Sequence, residues 1–238
     1  MLTAGRFVLD SSLAGATPAW KLRVRSDAAD VVQAYPELTY SGKVYLSGAG
    51  SDSNAGMTNS DPVQTFDRAK EILMNELGGK GQIVVCGTVT VDGTEEWFLP
   101  SGASMLKDSD SGSAAGINVG GNLALTDISI SGMQISTSGA LTIGSGAWIS
   151  GPYSGAVQVR GGTLTLDGGT ITSDGWGVQV SGGTFTMKSG SISSCYGGNV
   201  AGSYYAGGVG VTGGAFVMNG GSIKNNRLSY STRGAAGV

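Results

Sequence analysis

The sequence predicts an all-β chain: a right-handed parallel β-helix with one N-terminal capping α-helix. Three observations carry this. Short segments of alternating apolar residues recur at a fixed interval, glycine-rich turns separate them, and one amphipathic helical stretch precedes them.

The recurrence is clearest downstream. Val157/Val159 match Val178/Val180 and Val209/Val211. Leu164/Leu166 match Phe185/Met187 and Phe216/Met218, and Ile171 matches Ile192 and Ile223. The spacings are 21 and then 31 residues, so the second holds one repeat plus a ten-residue insertion within Cys195–Gly208. Weaker copies lie upstream as Ile117/Val119, Leu123/Leu125 and Ile128/Ile130, then as Met133/Ile135, Leu141/Ile143 and Ile149. Alternation is the mark of a half-buried strand, and these runs are too short for helices. Hairpin signals are scarce. Asn219-Gly220 is one, yet Asp167-Gly168 and Lys188-Ser189 hold the same place in other copies, so it reads as a turn inside the repeat. Three short strands per turn, each turn stacked ~4.8 Å from the last, place like side chains over like in one interior column.

The capping helix is expected at about 60–79. Ser60 or Asp61 is its candidate N-cap, and Pro62 lies in the first turn. Phe66, Ala69, Ile72, Leu73 and Leu77 form the apolar stripe, and Gly78-Gly79 ends it. A β-helix exposes core and strand edge at its open end, and an amphipathic helix covers both. Coils are expected over about 82–238, starting through Gln82–Gly93 and Glu96–Leu106. Residues 1–42 do not fit the repeat. They read either as the remnant of a preceding domain or as a flank packed on the cap.

The stretch Val44–Leu73, "VYLSGAGSDSNAGMTNSDPVQTFDRAKEIL", resembles the N-terminal motif of pectin-lyase-like β-helix proteins, in which a Gly-Ser-Asp-x-Asn-x-Gly turn precedes a proline and a capping helix. The copies "GINVGGNLALTDISISG" and "GGTFTM…GGSI" resemble repeats of large bacterial cell-surface proteins of that superfamily. The resemblance runs from Lys43 onward. It implies the fold and leaves function open, because the superfamily includes lyases, hydrolases, adhesins and stalks.

Composition narrows the functional classes. Of 238 residues 43 are glycine, 13% are charged, and the net charge is −3. No basic block exists to meet nucleic acid, and no apolar run is long enough to cross a membrane. Histidine is absent, which removes the commonest general base and metal ligand. Cys86, in an apolar run, is expected as a buried free thiol and Cys195 in a turn, with no disulfide between them. The Asp52–Gly56 loop has a calcium-loop flavour, but Val63 stands where an EF-hand needs glutamate, so an Asx-turn into the helix is expected.

No Asp-Asp or Asp-x-x-Asp pair appears within the regular coils, and Asp108/Asp110 lie in a loop, so no catalytic residue, metal site or cofactor is assigned. Asp167, Lys188 and Asn219 are expected in one column with an exposed Asp167–Lys188 pair. Asn118, Gln134, Gln158, Gln179 and Gly210 are expected in an outward amide column. Threonines 163 and 165 over 184 and 186 resemble the arrays of ice-binding β-helices and read more simply as strand formers. The candidate ligand-binding residues are Tyr153, Trp176, Tyr196, Tyr204 and Tyr205, which precede the same strand of successive coils, with Asp174, Gln158 and Gln179 beside them.

The segment Ser231–Val238 resembles the lead-in Ser203–Val209, so a further coil is expected to begin there. The expectation is a chain cut within a longer protein, its C-terminal end covered by further repeats or another chain. The expected function is a non-catalytic structural spacer or adhesin module, secreted or at a bacterial cell surface, that contacts a glycan or a host surface protein. A polysaccharide lyase or glycoside hydrolase of the same fold is the alternative.

Overall fold

Strands of three to five residues that bury alternate side chains gain little alone, and their stability has to come from stacking. The computed structural model describes residues 20–23, 33–36, 42–110, 115–200, 203–228 and 236–238. The chain divides into two units, Met1–Ser41 and Gly42–Val238. In the first, Trp20–Arg23 pairs antiparallel with Gln33–Pro36.

The second unit is a right-handed parallel β-helix with three faces. The first face stacks Lys43–Leu46, Gly81–Val85, Ala103–Lys107, Ser129–Ser131, Trp148–Gly151, Thr170–Ser173 and Ser191–Val200, and Ser222–Lys224 continues it. The second stacks Thr88–Val91, Gly116–Val119, Ile135–Thr137, Val157–Val159, Val178–Val180 and Val209–Val211. The third stacks Thr94–Trp97, Asn122–Leu125, Ala140–Ile143, Thr163–Leu166, Thr184–Met187 and Ala215–Met218.

Parallel register puts equivalent residues in contact. Ile130, Ile149, Ile171 and Ile192 form an unbroken, fully buried column on the first face. On the third, Leu141, Leu164, Phe185 and Phe216 stack, and the two phenylalanine rings lie 4.8 Å apart at 22°. Each fully buried aliphatic or phenyl side chain contributes about 1.5–3 kcal/mol of transfer free energy.

The corner between the second and third faces is a glycine column. A β-carbon on Gly121, Gly139, Gly162, Gly183 or Gly214 would fall on the carbonyl oxygen of the glycine one coil earlier. Gly162, Gly183 and Gly214 also have φ of 59°, 70° and 78°, so both space and backbone demand glycine. This is the physical content of the recurring Gly-Gly.

The helix runs over Phe66–Glu76, shorter than the expected 60–79. Val63 is buried and bridges Leu46 as a strand, which keeps Ser60–Gln64 out of the helix. Thr65, not Ser60 or Asp61, is the N-cap, and its Oγ1 accepts from the Arg68 N–H at 3.2 Å. Leu77 is the C-cap. Phe66, Ala69, Ile72 and Leu73 face the stack, and the Phe66 ring lies 4.5 Å from Trp97 of the first coil. Beside Trp97, the inward column of the third face begins not on a leucine but on exposed Glu95, whose Oε2 accepts from the Trp97 Nε1–H at 2.7 Å.

Asp52 serves the helix. Its Oδ1 accepts from the N–H of Gln64 and of Thr65, each at 2.9 Å, and its Oδ2 accepts from the Thr65 hydroxyl at 2.8 Å. Desolvation, the largest single influence, pushes its pKa up. The Thr65 and Gln64 hydrogen bonds and the Arg68 charge together outweigh it and hold the carboxyl below its ordinary value.

One upstream coil differs from the expected alignment. Ile135–Thr137, not Met133–Ile135, stacks between Ile117–Val119 and Val157–Val159. Buried Thr137 takes a core place because its hydroxyl donates to the Gly139 carbonyl at 3.2 Å. The cysteines also exchange their expected settings. Cys195 is fully buried with its thiol pushed up to about 12 by desolvation, whereas Cys86 is half-buried.

Candidate functional site

The corner after the first face gathers the aromatic residues that the sequence singled out. Gly151–Pro152–Tyr153 leaves the strand Trp148–Gly151, and in the next coil the Asp174 N–H donates to the Gly151 carbonyl at 3.1 Å. In the coil after that, the Tyr196 N–H donates to the Gly175 carbonyl at 2.7 Å, and Tyr196 stands in register with Arg227. Tyr153 and Tyr196 are 59% and 43% exposed. They sit two coils apart, roughly 10 Å along the stack, and exposed Asp174 belongs to the coil between them.

The insertion builds part of this corner. The strand Ser191–Val200 runs past its coil and turns back as Ser203–Tyr205, with Gly198 opposite Tyr205 and Asn199 opposite Tyr204. This hairpin places Tyr204 and Tyr205 by backbone only, and their side chains lie outside the described residues. Where the strand passes the corner, a register shift puts Ser194 at φ 57°. Asn226 secures it: its Oδ1 accepts from the Cys195 N–H at 3.0 Å, and its Nδ2 donates to the Ile192 carbonyl at 3.2 Å.

Three of the named candidates are engaged elsewhere. Trp176 is 3% exposed, and a β-carbon on Gly155 would fall on its ring, so the indole packs on that glycine and offers no open face. Gln158 accepts through Oε1 from Arg160 Nε and Nη2 at 3.2 and 3.0 Å. Buried Gln179 lies across Gly210, and its Nε2 donates to the Thr212 hydroxyl at 3.1 Å. The column holding these amides is Asn118, Ser136, Gln158, Gln179 and Gly210. Gln134 stands outside it and donates to the Ser154 carbonyl at 2.7 Å.

Trp148 was not among the sequence candidates, yet it is 46% exposed on the first face, in register with Ser129 on one side and Thr170 on the other. Ser131, Ser150 and Thr172 make the neighbouring outward column. The signal was present in the sequence, because the inward placing of Ile149 turns Trp148 outward. The coil 148–153 thus carries two exposed aromatic side chains beside a surface of hydroxyl groups.

Lys188 Nζ lies 3.6 Å from Asp167 Oδ2, the expected pair, with both side chains about half exposed. Asp108 is buried beside Asn59, whose Nδ2 reaches its Oδ2 at 3.4 Å. Cys86 is pushed up by desolvation and by the nearby Asp108 charge. Among the described residues, no three Cys, Asp or Glu side chains converge as a metal site would need, and no helix is long and apolar enough to cross a membrane. Part of the loop "KDSDSGS", 111–114, lies outside the described residues.

Comparison with known protein families, curated proteins and solved structures gives no match.

Proposed function

We propose that this chain is a non-catalytic spacer or adhesin module of the pectin-lyase-like type, secreted or displayed on a bacterial surface, that contacts glycans through the aromatic margin made by Trp148 on the first face and by Tyr153 and Tyr196 at the corner that follows it. The observation that supports this reading is the presence of three exposed aromatic side chains on a rigid stack, next to half-buried serine and threonine hydroxyls. An aromatic face stacks on the C–H face of a sugar ring, while neighbouring hydroxyls and Asp174 meet sugar hydroxyls. A parallel stack holds its side chains at fixed spacing, so little conformational entropy is lost when a ligand spans two coils.

The test is a glycan array with the purified chain beside Trp148→Ala, Tyr153→Ala and Tyr196→Ala. Binding that weakens in these variants and persists in Gln158→Ala supports the reading. Folded wild-type protein that binds no glycan, or binding indifferent to all three aromatic variants, refutes the glycan contact. Cleavage of a bound polysaccharide would favour the carbohydrate-active enzyme instead.

A further inference from the structure

Away from the aromatic margin, one turn joins a reactive dipeptide to a defined electrostatic setting. Asn219 is the only asparagine of the sequence that precedes a glycine. It is exposed and follows the strand Ala215–Met218. The N–H groups of Asp167, Lys188 and Asn219 donate to the carbonyls of Ile143, Leu166 and Met187 at 2.8, 2.9 and 2.8 Å, so the three residues occupy one column on successive coils. The Gly220 N–H shares the Met187 carbonyl at 3.3 Å, a long second bond that costs little to release.

We propose that Asn219–Gly220 is a site of spontaneous deamidation that extends the Asp167–Lys188 pair into a column of three charges. The Gly220 nitrogen gives its proton to solvent base and attacks Asn219 Cγ. A C–N bond forms, ammonia leaves, and a five-membered succinimide closes. Water then opens the ring at either carbonyl to give aspartate or isoaspartate. One water is consumed and one ammonia released, with no change of oxidation state. Glycine favours the step because no β-carbon crowds its nitrogen. Asn54, Asn59, Asn118, Asn122 and Asn225 precede residues that carry a β-carbon, and the Asn54 and Asn122 side-chain amides are also held in hydrogen bonds.

The two products differ in consequence. Aspartate retains the backbone of the turn and sets a carboxylate in the column next to Lys188, on the side away from Asp167. The repeat already accepts an aspartate there, at Asp167. Isoaspartate adds one carbon to the main chain where Asn219 and Gly220 both pair with Met187, so it disturbs the register of that coil.

The test is peptide mapping by mass spectrometry after incubating the folded chain at mildly alkaline pH, with isoaspartate resolved from aspartate. Asn219→Gln serves as the slow control, because its longer side chain must close a larger ring. Asn219→Asp is melted at low and high salt, alone and with Lys188→Met. Expected are deamidation at Asn219 several-fold faster than at Asn59 or Asn225 and loss of that product in Asn219→Gln. The Tm of Asn219→Asp is expected to rise at low salt, and the rise to vanish in high salt or with Lys188→Met. Equal rates at all asparagines would overturn the modification site. An Asn219→Asp variant with no rise in Tm at low salt would overturn the charge column.

Discussion

Removing the Asp52 carboxylate should loosen the N-terminal cap. Asp52→Ala deletes an acceptor that takes two backbone N–H bonds and one hydroxyl bond at 2.8–2.9 Å. The donors lie at a helix N-terminus, where a negative charge is also favoured by the peptide dipoles. Asp52 is exposed, so water replaces part of what is lost. Loss of a helix-capping side chain costs about 0.5–2 kcal/mol, and with Thr65 still in place as N-cap a loss of about 1 kcal/mol is expected, while Tm moves by about 2–4 °C per kcal/mol in a chain of this size. Asp52→Asn keeps an oxygen acceptor and loses the charge, so it should fall between wild type and alanine. The carboxyl sits below its ordinary value of 3.8 in the folded chain. Its stabilisation is therefore complete above that value and is lost as pH falls through the depressed folded pKa. Thermal melts followed by far-UV circular dichroism, at neutral pH and at about pH 2, would check both points. The account predicts a gap between wild type and Asp52→Asn that is present at neutral pH and closes in acid. Coincident melts at neutral pH, or a gap unchanged in acid, would refute the reasoning.

Three further outcomes follow from the packing. Phe185→Ala empties a fully buried place in the third-face column and removes the partner of the Phe216 ring, so urea titration should show a loss of about 3–5 kcal/mol. Gly162→Ala meets both a positive φ and the Gly139 carbonyl, whereas Gly78→Ala meets a positive φ with nothing within 4 Å of the new carbon. The Gly78 variant should lose about 1 kcal/mol and the Gly162 variant clearly more, and similar losses would undercut the glycine-column argument. Cys195, buried with its thiol raised to about 12, should resist iodoacetamide at about pH 8 until the chain unfolds, with half-buried Cys86 reacting first. Alkylation of native Cys195 at the faster rate would contradict its burial.

The stack itself was legible because its physics is repetitive. Alternation at Val157/Val159 and Leu164/Leu166 states which side chains point inward, and the interval of 21 residues states which of them touch. The coil at 133–137 was misread because Thr137 satisfies its hydroxyl locally and so occupies an apolar place, while Met133 offered a false partner to Ile135. The helix start was misread because the Asp52 side chain, distant in sequence, organises Gln64 and Thr65. The aromatic margin was legible only in part. Sequence order put Tyr153, Trp176 and Tyr196 at one corner, but exposure depends on what lies beneath each ring. Gly155 leaves a slot that takes the Trp176 indole, and no local pattern announces that. Trp148 is readable from the inward place of Ile149, since neighbouring strand residues point to opposite faces.

The account rests on parallel coils in a fixed register, and paired cysteines test that most directly. Thr165→Cys with Thr186→Cys puts both thiols on outward positions paired across adjacent coils of the third face. Thr163→Cys with Thr186→Cys shifts one partner by two residues. Oxidative cross-linking of each pair would be measured against the chain carrying only Cys86 and Cys195. The account predicts rapid cross-linking of the in-register pair and slow cross-linking of the shifted pair. Equal rates, or a faster shifted pair, would contradict the stacked columns from which the glycine corner, the charge column and the aromatic margin are all built.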